Sequence, residues 1–322
     1  MIDVQRLRVL RAVAEHGSFN QAAASLRLTP SAVSQQVAAL ERSLGTQVVA
    51  RSTRGVTLTR AGQIMVGAAE SVAAELAHAQ QQVSALSTGR TQLTVAAFTS
   101  GGRLLLPAAL TRFTAAHPHT TLHIREGEPE DTLPLVRQGA VDLALAYHFD
   151  GPLPVGPAPG DRLTWTPLLD DPLHIVLPHG HRLARHDALD LADLAAEPWV
   201  LGCLKTEAFL RRFAERAGFS PDIRGTTTDY FFARSLVAAG MGVSLVPSIA
   251  LTPEIPGLST VPITAPGPIR HIGVATLGGR DRPHVSAFLH ALCEEATRNH
   301  GHGSAASPAS APGRGRGRPP VP

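Results

Sequence analysis

Apolar residues near the beginning of the chain recur at intervals of three and four, which is the spacing of helices that bury one face. The pattern predicts three helices, over residues 3–16, 19–26 and 30–44. A small polar residue of the kind that caps a helix N-terminus precedes each run, and these residues are Asp3, Ser18 and Thr29. The chain is therefore expected to begin with a small helical unit.

The second and third helices are joined by a short turn, and the third opens with small polar side chains, which is typical of a helix-turn-helix. Hydroxyl and amide side chains suit hydrogen bonds to base edges, and a helix N-terminus attracts phosphate. The candidate DNA contacts in these two helices are Ser18, Asn20, Thr29, Pro30, Ser31, Ser34 and Gln35. A three-helix bundle with a solvated polar surface would show the same periodicity.

Two short apolar runs, residues 48–50 and 56–58, predict a hairpin with a basic tip. A basic hairpin beside a helix-turn-helix is typical of a wing that contacts phosphates or the minor groove. Its candidate DNA contacts are Arg51, Thr53 and Arg54.

A long helix is predicted next, from Thr59 to about residue 87. Its apolar positions alternate between steps of four and three, which is the pattern of a coiled-coil seam, and they are Val72, Leu76, Ala79, Val83 and Leu86. Dimerisation through this helix would present two heads to a two-fold-related DNA site.

Charge separates the head from the rest of the chain. Residues 1–62 carry eight arginines against three acids, a balance of +5, whereas residues 63–300 carry 18 basic and 23 acidic residues, a balance of −5. A basic head on an acidic body indicates that a polyanion binds the head alone. Neither a signal peptide nor a membrane span is expected. Cys203 and Cys293 are too far apart in sequence for a disulfide framework, so a reducing cytoplasm is favoured.

The run GSFNQAAASLRLTPSAVSQQVAALERSLGTQVVARSTRGVTLTRAG at residues 17–62 resembles LysR-type transcriptional regulators. The similarity extends over about residues 1–297, through LLPAALTRF at 104–112, VDLALAY at 141–147, VLPHGHRLA at 176–184 and LVAAGMGVSLVP at 236–247. One departure is Val49, where the family usually has a phenylalanine beneath the wing. The resemblance implies a dimer of dimers on an imperfect inverted repeat of double-stranded DNA.

Residues 91–297 alternate short apolar runs with helical patterns, which predicts an open α/β sheet. The resemblance implies two lobes of a periplasmic-binding-protein-like (type 2) effector domain: lobe I at about 91–164 and 268–297, and lobe II at about 165–267. The fold class is therefore α/β, and the expected units are a winged helix-turn-helix (1–58), a linker helix (59–90), the two-lobe effector domain (91–299) and a disordered Gly/Pro/Arg tail (300–322).

Ligands of open α/β folds bind beyond the carboxyl ends of strands, against helix N-termini. In lobe I this rule places Thr99, Ser100 and Gly101 in the cleft, where hydroxyls and amides can hold a carboxylate; alternatively, Ser100 is only a helix N-cap. The other candidate effector contacts are Glu128, Tyr147, Cys203, Lys205 and Thr228. Lys205, the only lysine of the chain, either pairs with an anionic effector or is a solvated surface residue.

Several features are expected to be structural. His179, His181 and His186 lack a fourth metal ligand at usable spacing, and the acids at 130 and 131 suit a first helical turn. No nucleophile, phosphate loop or nucleotide fingerprint occurs, so neither an enzyme nor a cofactor or metal is expected. Peroxide-sensing members of the family pair a lobe II cysteine with another a few residues later, but residues 204–215 contain none. A thiol switch at Cys203 is therefore not expected.

The sequence thus predicts a cytoplasmic regulator whose DNA binding is modulated by a small, anionic effector between two lobes. A nucleoid-associated DNA-binding protein and a solute-binding protein are the alternatives. The segment RGRPP at residues 316–320 resembles an AT-hook, a minor-groove arm, but a single copy in an Arg-biased composition is equally typical of a flexible basic tail.

Overall fold

A computed structural model describes residues 2–52, 55–149, 162–203, 205–265, 267–278 and 282–303. In this part of the chain the α-helices are α1 (Val4–His16), α2 (Phe19–Leu26), α3 (Pro30–Leu44), α4 (Arg60–Thr88), α5 (Thr99–Ala116), α6 (Pro129–Arg137), α7 (Thr206–Arg216), α8 (Tyr230–Ala238) and α9 (Pro283–Gly303). The β-strands are β1 (Val49–Ser52), β2 (Gly55–Leu58), β3 (Thr91–Ala97), β4 (Thr120–Glu126), β5 (Leu143–His148), β6 (Leu163–Pro178), β7 (Pro198–Leu201), β8 (Asp222–Thr226), β9 (Ser244–Pro247), β10 (Leu258–Pro262) and β11 (Ile269–Leu277). None of the described helices is both long enough and apolar enough to cross a membrane.

The head consists of α1 to α3 and the antiparallel hairpin β1–β2. Asp3 caps α1 by accepting a hydrogen bond from the amide of Gln5, and Thr29 caps α3 by accepting one from Ala32. Ser18 occupies the N-cap position of α2, but its side chain makes no capping bond. Val49 is only 5% exposed, so the smaller residue at this position still packs in the core of the head.

The linker helix α4 begins after Thr59, whose hydroxyl accepts a hydrogen bond from the amide of Gly62. A Cβ at Gly62 would lie 1.9 Å from the carbonyl oxygen of Val48, so glycine lets α4 start directly against the hairpin. Further along α4, Leu76, Val83 and Leu86 are 54%, 66% and 88% exposed. The seam that the sequence predicts is thus an apolar stripe without cover in a single chain.

Two sheets form the body. In lobe I the strand order is β4-β3-β5-β11-β6, with β3 parallel to β4 and β5 and with β11 antiparallel to β5 and β6. In lobe II the second half of β6 lies between β10 and β9, and β7 pairs in parallel with β8. Because β6 belongs to both sheets, the chain crosses between the lobes inside one strand. This mixed α/β architecture is the predicted fold class.

Two boundaries differ from the sequence predictions. The first half of β6 pairs with β11 as far as Pro172, so the crossing lies later than the expected boundary at 164. Helix α9 continues to Gly303, beyond the expected start of the tail at 300, because extending a formed helix costs little. Residues 304–322, with the AT-hook-like segment, lie outside the described residues.

Candidate functional site

The candidate DNA-binding surface of the head is polar and exposed. Asn20, Thr29, Pro30, Ser31 and Gln35 are exposed, and Ser18 and Ser34 are half-buried. On the opposite face of α3, Val33, Val37 and Leu40 are at most 1% exposed. The N-terminal turn of α3 is therefore free to approach a ligand while its other face holds the head together.

The hairpin is fixed to the end of α1 through its second strand, β2. The amide of Val56 donates a hydrogen bond to the carbonyl of Gly17, 3.0 Å away, just after α1 ends. Arg51 lies on β1, but its side chain, like Thr53 and Arg54, lies outside the described residues. Contacts of these three residues with DNA stay predictions.

A small cavity of about 20 Å³ lies between the lobes. Six of the predicted effector residues line it, namely Thr99, Ser100, Glu128, Tyr147, Cys203 and Thr228. Phe98, Asp229, Tyr230 and Arg270 complete the lining. Gly101 and Lys205 do not line the cavity. Gly101 instead allows the ring of Phe98 to pack closely, because a Cβ at this position would lie 2.3 Å from Cζ of Phe98.

The N-terminus of α5 forms one wall of this cavity. Phe98 occupies the N-cap position and offers no capping side chain, so the interpretation of Ser100 as the N-cap is wrong: Ser100 is the second residue of the helix. Among the described residues, no acceptor is bonded to the amides of Thr99, Ser100 or Gly101. Free amides in a first helical turn favour an anion. The hydroxyl of Thr99 donates to Glu126.

Arg270 forms the floor of the cavity and is only 1% exposed. It lies opposite Asp171 in the β11–β6 register, and its Nε and Nη2 donate to Oδ2 of Asp171 at 3.0 and 2.7 Å. Nη2 also donates to Oγ of Ser100 at 3.1 Å. Nη1 has no acceptor within the described part of the chain. A buried guanidinium therefore keeps two N–H groups available beside the α5 amides.

Aromatic rings surround this guanidinium. Its Cζ lies 5.0 Å from the ring centre of Phe98, 4.9 Å from that of Tyr147 and 5.9 Å from that of Tyr230, distances at which cations are attracted to ring faces. Burial raises the pKa of both tyrosines well above the ordinary value, so both keep their protons. Burial also raises the pKa of Asp171, and Arg270 and the amide of Ile249 oppose that shift.

Lys205 forms an ion-pair cluster that connects the lobes. From the N-cap position of α7 in lobe II, its Nζ lies 3.3 Å from Oε2 of Glu128 and also pairs with Glu130, both at the start of α6 in lobe I. Oε2 of Glu128 accepts a further hydrogen bond from the hydroxyl of Tyr147 at 2.7 Å. The interpretation of Lys205 as a solvated surface lysine is therefore wrong.

An open groove of about 840 Å³ lies beside this cluster, between α6 and α7. Tyr147 lines both the groove and the cavity, and Lys205 and Glu130 line the groove. Separation of the Lys205 ion pairs would therefore open a route from the groove towards Arg270.

Both cysteines are free thiols. Cys203 is half-buried and lines the cavity, directly after Gly202, where a Cβ would lie 2.2 Å from the ring of Tyr230. Cys293 is on α9 in lobe I, so the two cysteines belong to different lobes. No cluster of three or more metal-ligating side chains occurs among the residues that the structure describes.

The residues of the site that sequence reasoning missed include Phe98, Asp171, Asp229 and Arg270. One signal for two of them was present: Arg270 is a charged residue in the largely buried strand β11, and Asp171 lies within the long strand β6. A charged residue in a buried strand is expected to have an opposite charge as its partner.

Comparison with known proteins decides the family. A model described as "LysR substrate binding domain" matches residues 87–297, and one described as "Bacterial regulatory helix-turn-helix protein, lysR family" matches residues 4–63. The chain belongs to the LysR family of transcriptional regulators. As a LysR-type regulator it binds DNA, responds to an effector and is not an enzyme.

Similar proteins support this assignment. A "Probable hydrogen peroxide-inducible genes activator" from Mycobacterium avium is 33% identical over 286 residues, which covers 85% of this chain and 88% of the relative. The dual regulator OxyR of Escherichia coli is 28% identical with the same coverage. A solved structure of a hydrogen-peroxide-bound cysteine mutant of OxyR from Corynebacterium glutamicum has a TM-score of 0.53 and 25% identity, and covers 94% of this chain and 97% of its own.

Proposed function

We propose that this LysR-family regulator is a cytoplasmic dimer of dimers that binds an imperfect inverted repeat and changes its DNA binding when a small anion occupies the interlobe cleft. Nη1 of Arg270 and the neighbouring amides of α5, which have no acceptor among the described residues, carry the proposal for the effector site. Guanidinium groups and helix N-termini are the two protein features that bind carboxylates best.

The acidic side chains near the cleft do not abolish the preference of this site for an anion, because each of them already accepts a hydrogen bond. Glu126 accepts from the hydroxyl of Thr99, and Glu128 accepts from Tyr147 and Lys205. Asp171 neutralises Arg270 but uses only its Nε and Nη2. An anion at Nη1 would give Arg270 a second anionic partner, in addition to Asp171. The helix dipole of α5 also favours negative charge at this position.

The cavity has to open before an organic effector can enter. Its volume of about 20 Å³ holds roughly one water molecule, whereas pockets for small organic ligands measure about 300–1,000 Å³. The structure is thus closed, and an effector that binds only an open form would shift the population of the two forms. A change in lobe angle can then reach the heads through α4, whose Ala74 is packed against Gly139 of lobe I.

The oligomer is supported by the apolar stripe of Leu76, Val83 and Leu86 on α4. A second copy of the same helix would cover this stripe with the alternation of four and three that coiled coils use. Sedimentation of the full chain, alone and with a DNA duplex that contains the site, tests the dimer and the dimer of dimers.

The effector site is tested with Ser100→Val. This change removes the acceptor of Arg270 Nη2 and places a methyl group at the mouth of the α5 amides, so we expect the effector-dependent change in DNA affinity to disappear. Ser235→Val is the matched control, because Ser235 is exposed on α8 and its hydroxyl donates to the carbonyl of Phe231 in its own helix. A reporter on the regulated promoter, scanned with small carboxylates, gives the measurement. An unchanged response in Ser100→Val would contradict the proposal.

A second candidate effector is hydrogen peroxide, and the size of the cavity and its lining by Cys203 favour it. The relatives from Mycobacterium avium and Escherichia coli are named as a peroxide-inducible activator and as OxyR. The thiolate of Cys203 would attack one peroxide oxygen, the S–O bond would form as the O–O bond breaks, and hydroxide would leave and take up a proton. Because residues 204–215 lack a cysteine, the expected product is a sulfenic acid rather than a local disulfide.

Mass spectrometry of peroxide-treated protein decides this candidate. The addition of one oxygen atom at Cys203, together with a changed DNA affinity that Cys203→Ser abolishes and Cys293→Ser keeps, would support peroxide sensing. Oxidation at Cys293 alone, or no change in DNA affinity, would exclude it.

A further inference from the structure

The interlobe cleft presents a cationic and an anionic group to the same small volume. Arg270 offers the free N–H groups of Nη1, and Glu128 lines the same cavity with its carboxylate. Tyr147 connects them: its ring centre is 4.9 Å from the guanidinium carbon, and its hydroxyl donates to Glu128 at 2.7 Å. A ligand that satisfies both groups must carry opposite charges only a few bonds apart.

Lys205 supplies the partner of Glu128 in the closed structure. Its ammonium group comes from the other lobe and lies 3.3 Å from Oε2 of Glu128. This ammonium also pairs with Glu130, so it would keep one acidic partner if it lost Glu128. Glu128 would likewise keep the hydroxyl of Tyr147. Another ammonium group can therefore replace Lys205 at Glu128 without leaving any of these charges unpartnered.

We infer that the effector is a small amino acid, whose carboxylate binds Nη1 of Arg270 and the α5 amides and whose ammonium group replaces that of Lys205 at Glu128. This inference rests on the proposed function and names the class of effector for the same site. The Lys205–Glu128 ion pair is, on this account, an internal substitute for the ligand. Exchange of one ammonium for the other weakens the contact between the lobes, because Lys205 then keeps only its pair with Glu130.

An acid without an amine would bind less well. To enter from the groove, it has to separate Lys205 from Glu128, and it would leave that carboxylate with Tyr147 as its remaining donor among the described residues. An amine without an acid would leave Nη1 of Arg270 and the α5 amides without an acceptor. Unmatched charges at a desolvated site are costly, so the molecule with both groups is selected.

The test is calorimetric titration and thermal unfolding of the full chain with the standard L-amino acids, β-alanine and 4-aminobutyrate. Each amino acid is compared with the acid that lacks its amine and with the amine that lacks its carboxyl group. We expect at least one amino acid to bind and to raise Tm, and its two partial analogues to bind at least about tenfold more weakly, as the loss of a hydrogen bond to a charged group implies.

Two variants identify the site. Glu128→Gln removes the charge that holds the ammonium group, so the preference for the amino acid over the matching acid should fall by roughly tenfold or more. Lys205→Met removes the internal competitor, so the amino acid should bind more tightly. Arg224→Met is the matched control, because Arg224 belongs to an exposed ion pair of lobe II outside the cavity, and it should leave the affinity unchanged.

The outcomes separate this inference from the proposed function. If acids bind as tightly as amino acids and Lys205→Met weakens them, the cleft is an anion site, and the amino-acid assignment is wrong while the proposed function stands. If no compound of the panel binds and only peroxide acts, both the anion and the amino acid are excluded. The result that establishes the inference is that Lys205→Met binds the amino acid more tightly than the wild-type chain does, while the matching acid without an amine is not preferred over the amino acid.

Discussion

The polar groups of the DNA-binding head lie outside a core that is complete without them. Ser31 and Gln35 are exposed on α3, while Val33 and Val37 on the same helix are buried. In the interlobe cleft, by contrast, Arg270 and the carboxylate opposite it are among the most buried side chains of lobe I. The groups predicted to bind DNA in the head are thus separate from those that stabilise it, whereas in the cleft the groups proposed to bind the effector also hold the fold together.

This difference has a consequence for substitutions. A polar side chain on the surface of α3 can be truncated without opening a cavity or leaving a charge buried. A charged side chain in the cleft has partners on other strands, and its removal leaves one of them uncompensated in a desolvated place. Function can therefore be lost in the head at constant stability, but in the cleft it is lost together with stability.

Arg270→Met is expected to have the largest effect. It leaves Asp171, which is 0% exposed, without its cationic partner, and breaking a buried pair in this way costs about 3–5 kcal/mol of unfolding free energy. Both tryptophans, Trp165 and Trp199, belong to the body, so urea unfolding followed by tryptophan fluorescence reports on the lobes alone.

The double variant Arg270→Met with Asp171→Leu is the control for this loss. Replacement of both charges by apolar groups of similar size removes the uncompensated carboxylate, so much of the lost stability should return. If the double variant is no more stable than Arg270→Met, the two residues are not energetically coupled, and the contrast between cleft and head fails.

The architecture of the head was predictable because its determinants are local. The N-caps Asp3 and Thr29, the proline at the start of α3 and the apolar spacing of that helix all act within one turn of the residue concerned. The structure agrees with each of them. The sequence pattern left open whether this unit is a solvated helix bundle or a DNA-binding unit. The match to the LysR helix-turn-helix model decided between these two alternatives.

The cleft was predictable only in part because its chemistry depends on pairs that are distant in sequence. The residues at or just after strand ends, among them Ser100, Tyr147 and Cys203, line one cavity. The rule about strand ends gave no reason to join Arg270 to Asp171, which is 99 positions away, or Lys205 to Glu128, which is 77 positions away. Such partners follow from strand register and lobe closure, which periodicity does not encode.

The double substitution Ser34→Ala and Gln35→Ala should have the next largest effect, confined to DNA binding. Base-edge hydrogen bonds contribute roughly 1–3 kcal/mol each, so affinity for the cognate site should fall far more than affinity for unrelated DNA. Fluorescence anisotropy with the two duplexes at equal salt gives both values. Equal losses on both duplexes would show that these residues contact the backbone rather than bases, and a lowered Tm would show that the surface of α3 also stabilises the head.

A smaller effect is expected from pH, and it should come from the body. Burial lowers the pKa of His174 on β6, which contacts the hydroxyl of Ser248, and it lowers the pKa of His284 on α9. Each histidine therefore stays neutral in the folded chain at a pH where the unfolded chain, with its ordinary pKa of 6.5, takes up a proton. Because the unfolded chain binds this additional proton, the contribution to stability is complete well above pH 6.5 and falls as the pH decreases below it.

The slope for one such histidine is at most about 1.4 kcal/mol per pH unit, which is the free energy of one proton. His174→Gln keeps a group that can bond Ser248 but does not titrate, so urea unfolding followed by tryptophan fluorescence between about pH 5 and 6.5 should show a shallower slope. His290→Gln is the matched control, because His290 is largely exposed on α9 and pairs only with Glu294. If His174→Gln and the wild-type chain lose the same amount of stability as the pH falls, the protons are taken up by other groups. The partly buried histidine of lobe II would then not distinguish the body from the head.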